Sequence, residues 1–443
     1  HFPNQDKAVD FEHAFQQKLD NKDSDFRGVW FPERLSFEKL DFPAAADFSS
    51  ATFFAEVAFS GVRFDSQLKF RNSTFSKEAN FSVSEFREGA DFSRAKFAAE
   101  TNFSLAQFGG WASFFHATFA AQAGFNATTF GAKANFESAT FEAEASFASV
   151  TLGAEANFSR ATFDRDAYFK ESTFSGTTDF SHTIFGRKAN FNDAKFHDAA
   201  VFTNCVFFEN ADFIEAAFER KADFSRSEFR REANFNTAFR EEVNFLYAFF
   251  RGEAYFRYAV FNAPVNFRSA TFQDYVRFGE LKLIEAAAFD FQYARIDKPD
   301  RVAFHSPFRP YWFVNVDARK FDFTNVDWRW RPLRIVIREE LESLKVKNVS
   351  SPNRMLAIAC RQLAVNAEEN NRYEEASRLR FMSMDSLRRE TFLGFVPWRL
   401  SWWYWLASGY GERVLQAFLV LLGVWFVAGL LYTRVGFARW EPK

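Results

Sequence analysis

Sulfur-containing side chains are scarce in this sequence. It holds two cysteines, Cys205 and Cys360, and three methionines among 443 residues. Two cysteines exclude a disulfide scaffold and leave only a single bridge open. The sequence also lacks variety in its large apolar side chains, because phenylalanine alone occurs 66 times. An ordinary core mixes side chains of different shapes to fill irregular space. The repeated use of phenylalanine therefore predicts one kind of core position that recurs along the chain.

No sign of charge dominates the chain. Lys and Arg together number 55, Asp and Glu number 57, and the net charge is −2. This balance favours neither a nucleic-acid binder nor an acidic DNA mimic. A phosphate-binding glycine-rich loop and a nucleophile elbow are both missing, and the six histidines have no metal-ligand spacing. The sequence therefore predicts a protein that is not an enzyme, with no catalytic, cofactor-binding or metal-binding residues. The histidines are His1, His13, His116, His182, His197 and His305.

Phenylalanine returns in alternating steps of five and six residues. In the stretch EANFSRATFDRDAYFKESTF, residues 155–174, the positions are Phe158, Phe163, Phe169 and Phe174. An eleven-residue period can build a right-handed coiled coil. On a helix, however, steps of five and six would place successive rings about 120–140° apart, on two faces rather than along one stripe. Phenylalanine, serine, threonine and asparagine are also mediocre helix formers, so the pattern favours β-structure.

A small residue usually stands two positions before the first phenylalanine of each unit. Examples are Ala79, Ala90, Ala134, Ala156, Ala189 and Ala211. Because side chains alternate along a strand, the small residue and the phenylalanine point inward, while the Asn or Asp between them points outward. The pattern predicts a β-solenoid with a narrow interior filled by stacked rings. Cys205 stands two residues before Phe207, and we expect it to pack there in place of alanine.

Units such as ADFSRAKF and ANFNDAKF resemble the Phe-centred variant of the pentapeptide-repeat family. The resemblance covers roughly residues 26–290 and implies a right-handed quadrilateral β-helix with four short sides per coil. This sequence departs from the family pattern by one added residue at every second side, so one coil would take two units, about 22 residues. About twelve coils, each ~4.8 Å high, would form a rod of roughly 60 Å.

The eleven-residue register slips once. It runs from Phe26 to Phe235, where Phe239 follows after only four residues, and it resumes at Phe245. A slip of one residue along a strand would turn its phenylalanine outward. Since the normal spacing returns, we expect a local change of the corner near residues 237–240, with the inward stack preserved.

The repeat region has helical patterns at both ends. Residues 1–25 place Ala8, Phe11, Phe15 and Leu19 at helical spacing, which predicts an N-terminal cap. Residues 26–330 are assigned to the solenoid, with irregular last coils, and residues 331–397 to an α-helical subdomain. In that subdomain one helical face follows Pro332, and its members are Leu333, Val336, Ile337, Leu341 and Leu344.

Two further helices are predicted near residues 353–370 and 373–390. Their join, NAEENNRYEEASRLRFMSM, resembles a tetratricopeptide hairpin, in which a small residue, here Ala376, allows the two helices to pack. True tetratricopeptide arrays repeat this unit, whereas this chain has one copy. The resemblance therefore leaves open whether a peptide-binding groove is present.

Residues 414–433 have the length and composition of a membrane span. They carry no charge, and about twenty helical residues cross the ~30 Å hydrocarbon core. The preceding segment, residues 398–413, is rich in Trp and Tyr, as expected at a membrane interface. Basic residues are in excess on the N-terminal side, which predicts a single-pass membrane protein with a cytoplasmic solenoid. They are Arg388, Arg389, Arg399 and Arg413 before the span, and Arg434, Arg439 and Lys443 after it.

The junction LASGYGERVLQAFLVLL resembles that of bacterial pentapeptide-repeat proteins in which SGYGER leads into a membrane helix. The leading hypothesis is a membrane-anchored scaffold that contacts the lipid bilayer and unidentified proteins, but no nucleic acid. A second hypothesis is a subunit of a channel-like membrane protein, whose pore would need sequence beyond Lys443. A third is a DNA-mimic inhibitor, which the balanced charge disfavours. The sequence leaves self-association and the identity of any partner open.

Overall fold

The structure is a computed structural model that describes most of the chain. The described residues are 15, 17–18, 21, 23–38, 41–42, 44–283, 287–298, 302–304, 309–319, 321, 323, 340–342, 344–345, 350–390, 400–411 and 414–436. The chain divides into two compact units. We call them the solenoid unit (His1–Asp290, Ala294–Ser306 and Phe323–Asn325) and the helical unit (Phe291–Tyr293, Pro307–Asp322 and Val326–Lys443).

Short parallel strands of the solenoid unit form four sheets, and each complete coil contributes one strand to each sheet, always in the same order. Sheet 1 contains Trp30–Phe31, Thr52–Phe53, Thr74–Phe75, Lys96–Phe97, Thr118–Phe119, Thr140–Phe141, Thr162–Phe163, Ile184–Phe185, Val206–Phe207, Glu228–Phe229, Phe249–Phe250, Thr271–Phe272 and Arg295–Ile296. Sheet 2 contains Leu35–Ser36, Val57–Ala58, Ala79–Asn80, Thr101–Asn102, Ala123–Gly124, Ala145–Ser146, Ala167–Tyr168, Ala189–Asn190, Ala211–Asp212, Ala233–Asn234, Ala254–Tyr255, Val276–Phe278 and Val302–Phe304.

The other two sheets form the remaining sides of each coil. Sheet 3 contains Asp41–Phe42, Arg63–Phe64, Glu85–Phe86, Gln107–Phe108, Thr129–Phe130, Thr151–Leu152, Thr173–Phe174, Lys195–Phe196, Ala217–Phe218, Ala238–Phe239, Val260–Phe261 and Lys282–Leu283. Sheet 4 contains Ala46–Asp47, Leu68–Lys69, Ala90–Asp91, Ala112–Ser113, Ala134–Asn135, Ala156–Asn157, Thr178–Asp179, Ala200–Val201, Ala222–Asp223, Val243–Asn244, Val265–Asn266 and Phe289–Asp290.

One coil takes two eleven-residue units, as the sequence predicts. In sheet 4 Ala156 pairs in parallel with Thr178, 22 residues later, and the sheets contain 12 or 13 strands each. The predicted β-solenoid of about twelve coils is therefore confirmed. The alternation of five-residue and six-residue steps gives the lengths of successive sides of one coil.

The phenylalanine rings fill the interior in columns. Phe158 has no exposed surface, and its ring stacks on Phe136 and on Phe180 with centroids 4.8 Å away in both cases. It also meets Phe147, which follows the sheet 2 strand Ala145–Ser146, edge-to-face with ring centroids 5.4 Å apart. Offset-stacked and edge-to-face pairs are the favoured aromatic geometries, and each adds about 0.5–1.5 kcal/mol beyond area burial. The stacked columns explain why one side chain recurs so often.

The residues next to each phenylalanine occupy the same positions in every regular coil, either buried beside the ring or facing solvent. Ala156 is fully buried under the ring columns, whereas Asn157 points outward and its Oδ1 accepts a hydrogen bond of 2.9 Å from the Ser159 backbone N–H. This local bond starts the corner that follows the strand. Hydroxyls in the buried small-residue positions are also satisfied, since Thr183 Oγ1 donates to the Phe158 carbonyl of the preceding coil at 2.8 Å.

Left-handed residues turn two diagonally opposite corners of the coil, which the sequence did not indicate. Arg160 has φ 57°, its N–H donates to the Ser181 carbonyl of the next coil, and the Ala161 N–H closes the turn on Phe158. Equivalent positions include Val83 and Leu105, with φ 59° and 60°. Side chains of this size rarely adopt the left-handed region, so the pairing of neighbouring coils holds the backbone there.

The register slip removes one such left-handed residue. Ala217 pairs with Ala238, so this coil takes 21 residues. No left-handed residue separates Asn236 from Thr237, and Thr237 occupies the buried small-residue position with 3% exposure. Phe235 still stacks at 5.2 Å on the phenylalanines of the coils on both sides, Phe213 and Phe256. The predicted local corner change with a preserved stack is confirmed. The Thr237 hydroxyl still donates to the Phe213 carbonyl of the preceding coil, as Thr183 does to Phe158 in a regular coil.

Phe15 covers the first coil at the N-terminal end. Its ring lies 5.6, 5.9 and 5.8 Å from those of Phe26, Phe31 and Phe37. The other members of the predicted cap, Ala8, Phe11 and Leu19, lie outside the described residues. The described contacts are those of a cap, since the rings of a terminal coil otherwise lack a neighbour on one side.

The helical unit contains the two predicted helices, α1 (Pro352–Glu369) and α2 (Tyr373–Glu390), followed by α3 (Leu400–Ser408) and α4 (Val414–Val435). A short 3₁₀ helix, Pro310–Phe313, precedes them. Leu341 and Leu344 of the predicted helix after Pro332 are buried. Its other apolar members, Leu333, Val336 and Ile337, lie outside the described residues, and so does the predicted boundary at residue 330.

The column assignment predicts opposite outcomes at two adjacent residues. Phe158→Asp places an unpaired carboxylate inside the column, and we expect it to lower the free energy of unfolding by at least about 3 kcal/mol. Asn157→Asp is the matched control, because an aspartate at the next equivalent position, Asp179, accepts the same corner hydrogen bond at 2.7 Å. Thermal unfolding followed by circular dichroism measures both, and similar losses in the two variants would contradict inward stacking.

The short corner predicts an unusual tolerance to insertion. A glycine inserted between Asn236 and Thr237 restores the 22-residue coil and its left-handed position, so we expect an unchanged or raised melting temperature. The same insertion between Ser159 and Arg160 serves as the control, because it makes a coil one residue too long, and it should lower the melting temperature. If the first insertion is the more damaging one, the tight corner is required for stability.

Candidate membrane junction

Helix α4 exposes its apolar side chains along its whole length. Leu421 is 67% exposed and Trp425 is 78% exposed, and the helix has no buried residue. Within the described part of the chain it is the one helix that is long and apolar enough to cross a membrane. Its 22 residues extend for about 33 Å, which matches the hydrocarbon core. It includes all of the span predicted from the sequence, residues 414–433.

Helix α3 carries the aromatic residues that precede α4. Trp402 and Trp403 meet edge-to-face with centroids 5.0 Å apart, and Trp403 and Tyr404 are about half exposed. Indole and phenol rings are enriched at the level of lipid headgroups. The composition and exposure of α3 therefore suit a helix at the membrane interface. Trp398 and Arg413 of the predicted interfacial segment lie outside the described residues.

The SGYG motif forms a compact turn between α3 and α4. Gly409, Tyr410 and Gly411 all have positive φ, of 55°, 62° and 90°, and the Gly411 N–H donates to Ser408 Oγ at 3.0 Å. Gln416 of α4 reaches back, and its Nε2 donates to the Trp405 and Leu406 carbonyls at 3.0 and 2.8 Å. These bonds satisfy carbonyl groups at the C-terminal end of α3, which an isolated helix leaves open. Sequence inspection missed this role of Gln416.

Aromatic residues of α3 and of the turn pack against α2. The Tyr410 ring lies 5.8 Å from Phe381, and the Arg388 guanidinium lies 4.6 Å from the Trp405 ring centre. Tyr410 is 7% exposed, and this burial raises the pKa of its phenol above the ordinary value. The segment next to the apolar helix is thus packed onto the hairpin formed by α1 and α2, rather than freely linked to it.

A buried ion pair lies under this contact. The Asp385 and Arg388 side chains are 2% and 3% exposed, and Arg388 Nη2 lies 2.7 Å from Asp385 Oδ1. Arg389 Nε lies 2.9 Å from the other carboxylate oxygen. By sequence both arginines belong to the basic residues that flank the predicted span, but Arg388 points into the unit. Removing one partner of such a pair leaves an uncompensated charge.

The two helices of the hairpin are joined by polar side chains as well as by apolar contacts. Ser383 Oγ donates to the Ala357 carbonyl at 2.8 Å. Asn366 Nδ2 donates to the Arg319 and Phe321 carbonyls at 2.8 and 2.7 Å, which ties a loop of the same unit to α1. Ala376 is 2% exposed, as the tetratricopeptide resemblance implies. Tyr373, the aromatic residue that opens α2, is 66% exposed.

The remaining candidate residues of the sequence analysis lie in structural positions. Cys205 is fully buried in the small-residue position, as predicted, and its Sγ contacts the Phe180 carbonyl at 2.9 Å. Burial raises the pKa of the Cys205 and Cys360 thiols, and both cysteines are free. His116 and His182 occupy exposed left-handed corners. Among the described residues, no group of three or more His, Cys, Asp or Glu side chains is placed to hold a metal ion.

His197 has an exposed acidic partner. Its Nδ1 lies 2.9 Å from a Glu219 carboxylate oxygen, and this hydrogen bond is the main cause that lowers the pKa of Glu219. His1, His13 and His305 lie outside the described residues.

The buried pair predicts a large stability difference between two acidic residues of α2. Asp385→Ala leaves two arginines without their carboxylate, and we expect it to lower the free energy of unfolding of the helical unit by about 3–5 kcal/mol. Glu374→Ala is the control, because this side chain is 92% exposed and 3.9 Å from Arg378, where a pair contributes less than about 1 kcal/mol. Denaturant titration followed by tryptophan fluorescence measures both; equal midpoints would contradict the buried-pair account.

Comparison with known proteins adds one result. The family described as pentapeptide repeats (9 copies) matches residues 125–173 and 158–206. No curated protein and no solved structure matches the chain. The matched residues form consecutive coils in the middle of the solenoid, where the inward rings and the 22-residue pairing are regular. Residues 125–206 therefore consist of pentapeptide repeats, and they belong to a solenoid of stacked coils that is followed by a helical region with one apolar helix.

Proposed function

We propose that this protein is a membrane-anchored scaffold, in which α4 spans the bilayer and the solenoid offers a rigid surface to other proteins. The observation that carries the proposal is the contrast in burial within one chain. The phenylalanine columns of the solenoid are closed to solvent, whereas Leu421, Trp425 and their neighbours in α4 are open along the whole helix. Exposed apolar surface of this extent marks a membrane or protein contact.

The solenoid suits the role of a rigid spacer. Each coil contacts only the coils before and after it, so its stiffness comes from many identical interfaces. Outward residues do not take part in the ring columns and can vary without loss of the fold. A rod of this kind can present side chains at fixed spacing over its length. This surface, rather than a pocket with reactive groups, is where we expect its function.

The membrane junction supports the anchor. The bonds of Gln416 and the contacts of Tyr410 and Trp405 connect α4 to α3 and α3 to the hairpin. A rigid connection of this kind would keep α3 at the headgroup level when α4 crosses the bilayer. The basic residues before the span support a cytoplasmic location for the N-terminal part of the chain, and with it the solenoid.

The competing hypotheses have less support. For a channel-like subunit, the described residues provide one apolar helix that could cross a membrane, which suits an anchor equally well. A DNA mimic would need a strongly acidic surface, and the charged groups of the solenoid pair with both signs in exposed ladders, for example Lys133 with Glu155 at 2.7 Å. We therefore retain the scaffold as the proposed function.

Charge substitutions in α4 test the anchor. The double variant Leu421→Arg, Val424→Arg places two guanidinium groups near the bilayer centre, where each costs at least about 2.5 kcal/mol. We expect the full chain to stay in the membrane fraction after alkaline washing and the variant to be released. The control is Thr118→Arg, Thr140→Arg on sheet 1, which should stay with the membrane. Release of the unaltered chain by alkaline washing would contradict the anchor.

Protease treatment of sealed vesicles tests the orientation separately. With the cytoplasmic face outward, we expect added protease to remove the solenoid. If the solenoid is protected in such vesicles and is cleaved only when they are opened, the proposed topology is reversed while the anchor stands.

A further inference from the structure

The outward surface of sheet 1 changes character in its later coils. Threonine occupies the outward strand position in most of the earlier coils, at Thr52, Thr74, Thr118, Thr140 and Thr162. The following coils place Ile184, Val206, Glu228 and Phe249 there. The fold does not require this change, because the inward phenylalanine of each strand makes the stacking contact and threonine is itself a favourable strand residue. The change therefore indicates a requirement of the outward surface that is separate from folding.

These residues form a continuous patch. Ile184 pairs with Val206, Val206 with Glu228, and Glu228 with Phe249, so the four side chains stand in one column of adjacent coils about 4.8 Å apart. Phe208 stands beside this column, and Phe208 and Ile184 are each 39% exposed. We define the sheet-1 patch as this column with its neighbours. Its members are Ile184, Arg187, Val206, Phe208, Glu209, Glu228, Arg230, Arg231, Phe249 and Arg251.

Arginines dominate the charge of the sheet-1 patch. The Arg230 guanidinium lies over the Phe208 ring at 3.9 Å from its centre, and Arg251 lies 5.0 Å from the Phe249 ring centre. One carboxylate, that of Glu228, serves both arginines, with Nε distances of 3.1 and 2.5 Å. Four arginines and two glutamates leave two positive charges in excess. Aromatic residues and arginine are the side chains most enriched in the energetic centres of protein interfaces.

We propose that the sheet-1 patch binds an acidic segment of another protein that also carries apolar side chains. Carboxylates of the partner would meet the guanidinium groups that Glu228 shares, and an apolar side chain would cover Val206 and Phe208. Guanidinium groups recognise carboxylates through paired N–H donors, and Arg230 already does so with Glu228 through Nε and Nη2. This inference rests on the proposed scaffold role of the solenoid surface and does not depend on the membrane anchor.

Two other occupants fit this surface less well. A nucleic acid would stack bases on exposed aromatic faces, but the Arg230 guanidinium already covers one face of the Phe208 ring. An anionic bilayer would be repelled by a carboxylate among the apolar side chains, and Glu228 stands in this column between Val206 and Phe249. The partner that matches the chemistry is a protein segment with carboxylates next to apolar groups.

The test uses the full chain in nanodiscs of neutral lipid and two matched fluorescent peptides. One peptide alternates glutamate with leucine, and the other alternates lysine with leucine. Fluorescence anisotropy measures binding of each peptide at low and at moderate salt. We expect the acidic peptide to bind, with an affinity that falls as the salt concentration rises. The basic peptide should bind at least about tenfold more weakly.

Single substitutions locate the binding surface. Phe208→Ser and Arg251→Glu should each weaken binding of the acidic peptide by about tenfold or more. Because both residues point away from the ring columns, the melting temperature of each variant should stay close to that of the parent. The matched control is Lys96→Glu, which makes the same kind of charge change at an outward position of sheet 1 outside the patch. This control should leave the affinity within about twofold of the parent value.

Four results would overturn the proposal. The first is equal binding of the acidic and basic peptides, and the second is acidic-peptide binding that survives both patch substitutions. The third is the absence of acidic-peptide binding together with protection of residues 184–251 from hydrogen exchange in nanodiscs of anionic lipid, which would assign the sheet-1 patch to the membrane instead. Absence of acidic-peptide binding without that protection also refutes the proposed partner chemistry.

Discussion

The stacking of each phenylalanine on its equivalent in the next coil is the interaction on which the rest of the structure depends. A ring such as Phe158 has two parallel neighbours at 4.8 Å and no exposed surface. Because the same ring recurs in nearly every side of nearly every coil, the backbone must return to the same place every 22 residues. The parallel pairing, the small residues beside the rings and the left-handed corners all follow from that requirement. Stability is therefore distributed along the rod, and the ends need covering residues such as Phe15.

The sequence specifies this architecture well because the pattern is itself the structural constraint. The period, the inward small residue and the buried position of Cys205 could be read from spacing alone, and even the slip at Phe239 could be placed. The left-handed corners could not be read, since glycine and asparagine usually mark such positions and here Val83, Arg94 and Leu105 occupy many of them. Neighbouring coils impose this conformation, so the local sequence carries no sign of it.

The candidate junction was only partly predictable. Composition indicated the apolar helix and the aromatic segment before it, because both depend on residue type. Arg388 looked like one of several basic residues near a membrane, but Trp405 and Tyr410 cover it and Asp385 neutralises it. Gln416 looked like an isolated polar residue in an apolar helix, and it completes the end of α3. Both roles depend on tertiary contacts between helices that periodicity does not encode.

The structure separates two demands on the same chain. Inward positions are uniform because every coil must fit its neighbours, and outward positions are free to differ, as the arginine and aromatic residues around Phe208 do. Hydrogen exchange of the full chain in a lipid bilayer tests the central claim that the ring columns form one rigid body. We expect the amide of Phe158, which donates to the Asp179 carbonyl at 2.7 Å, and its equivalents in the neighbouring coils to be protected to a similar, high degree. Exchange of these amides as fast as that of exposed, unbonded amides would contradict the account.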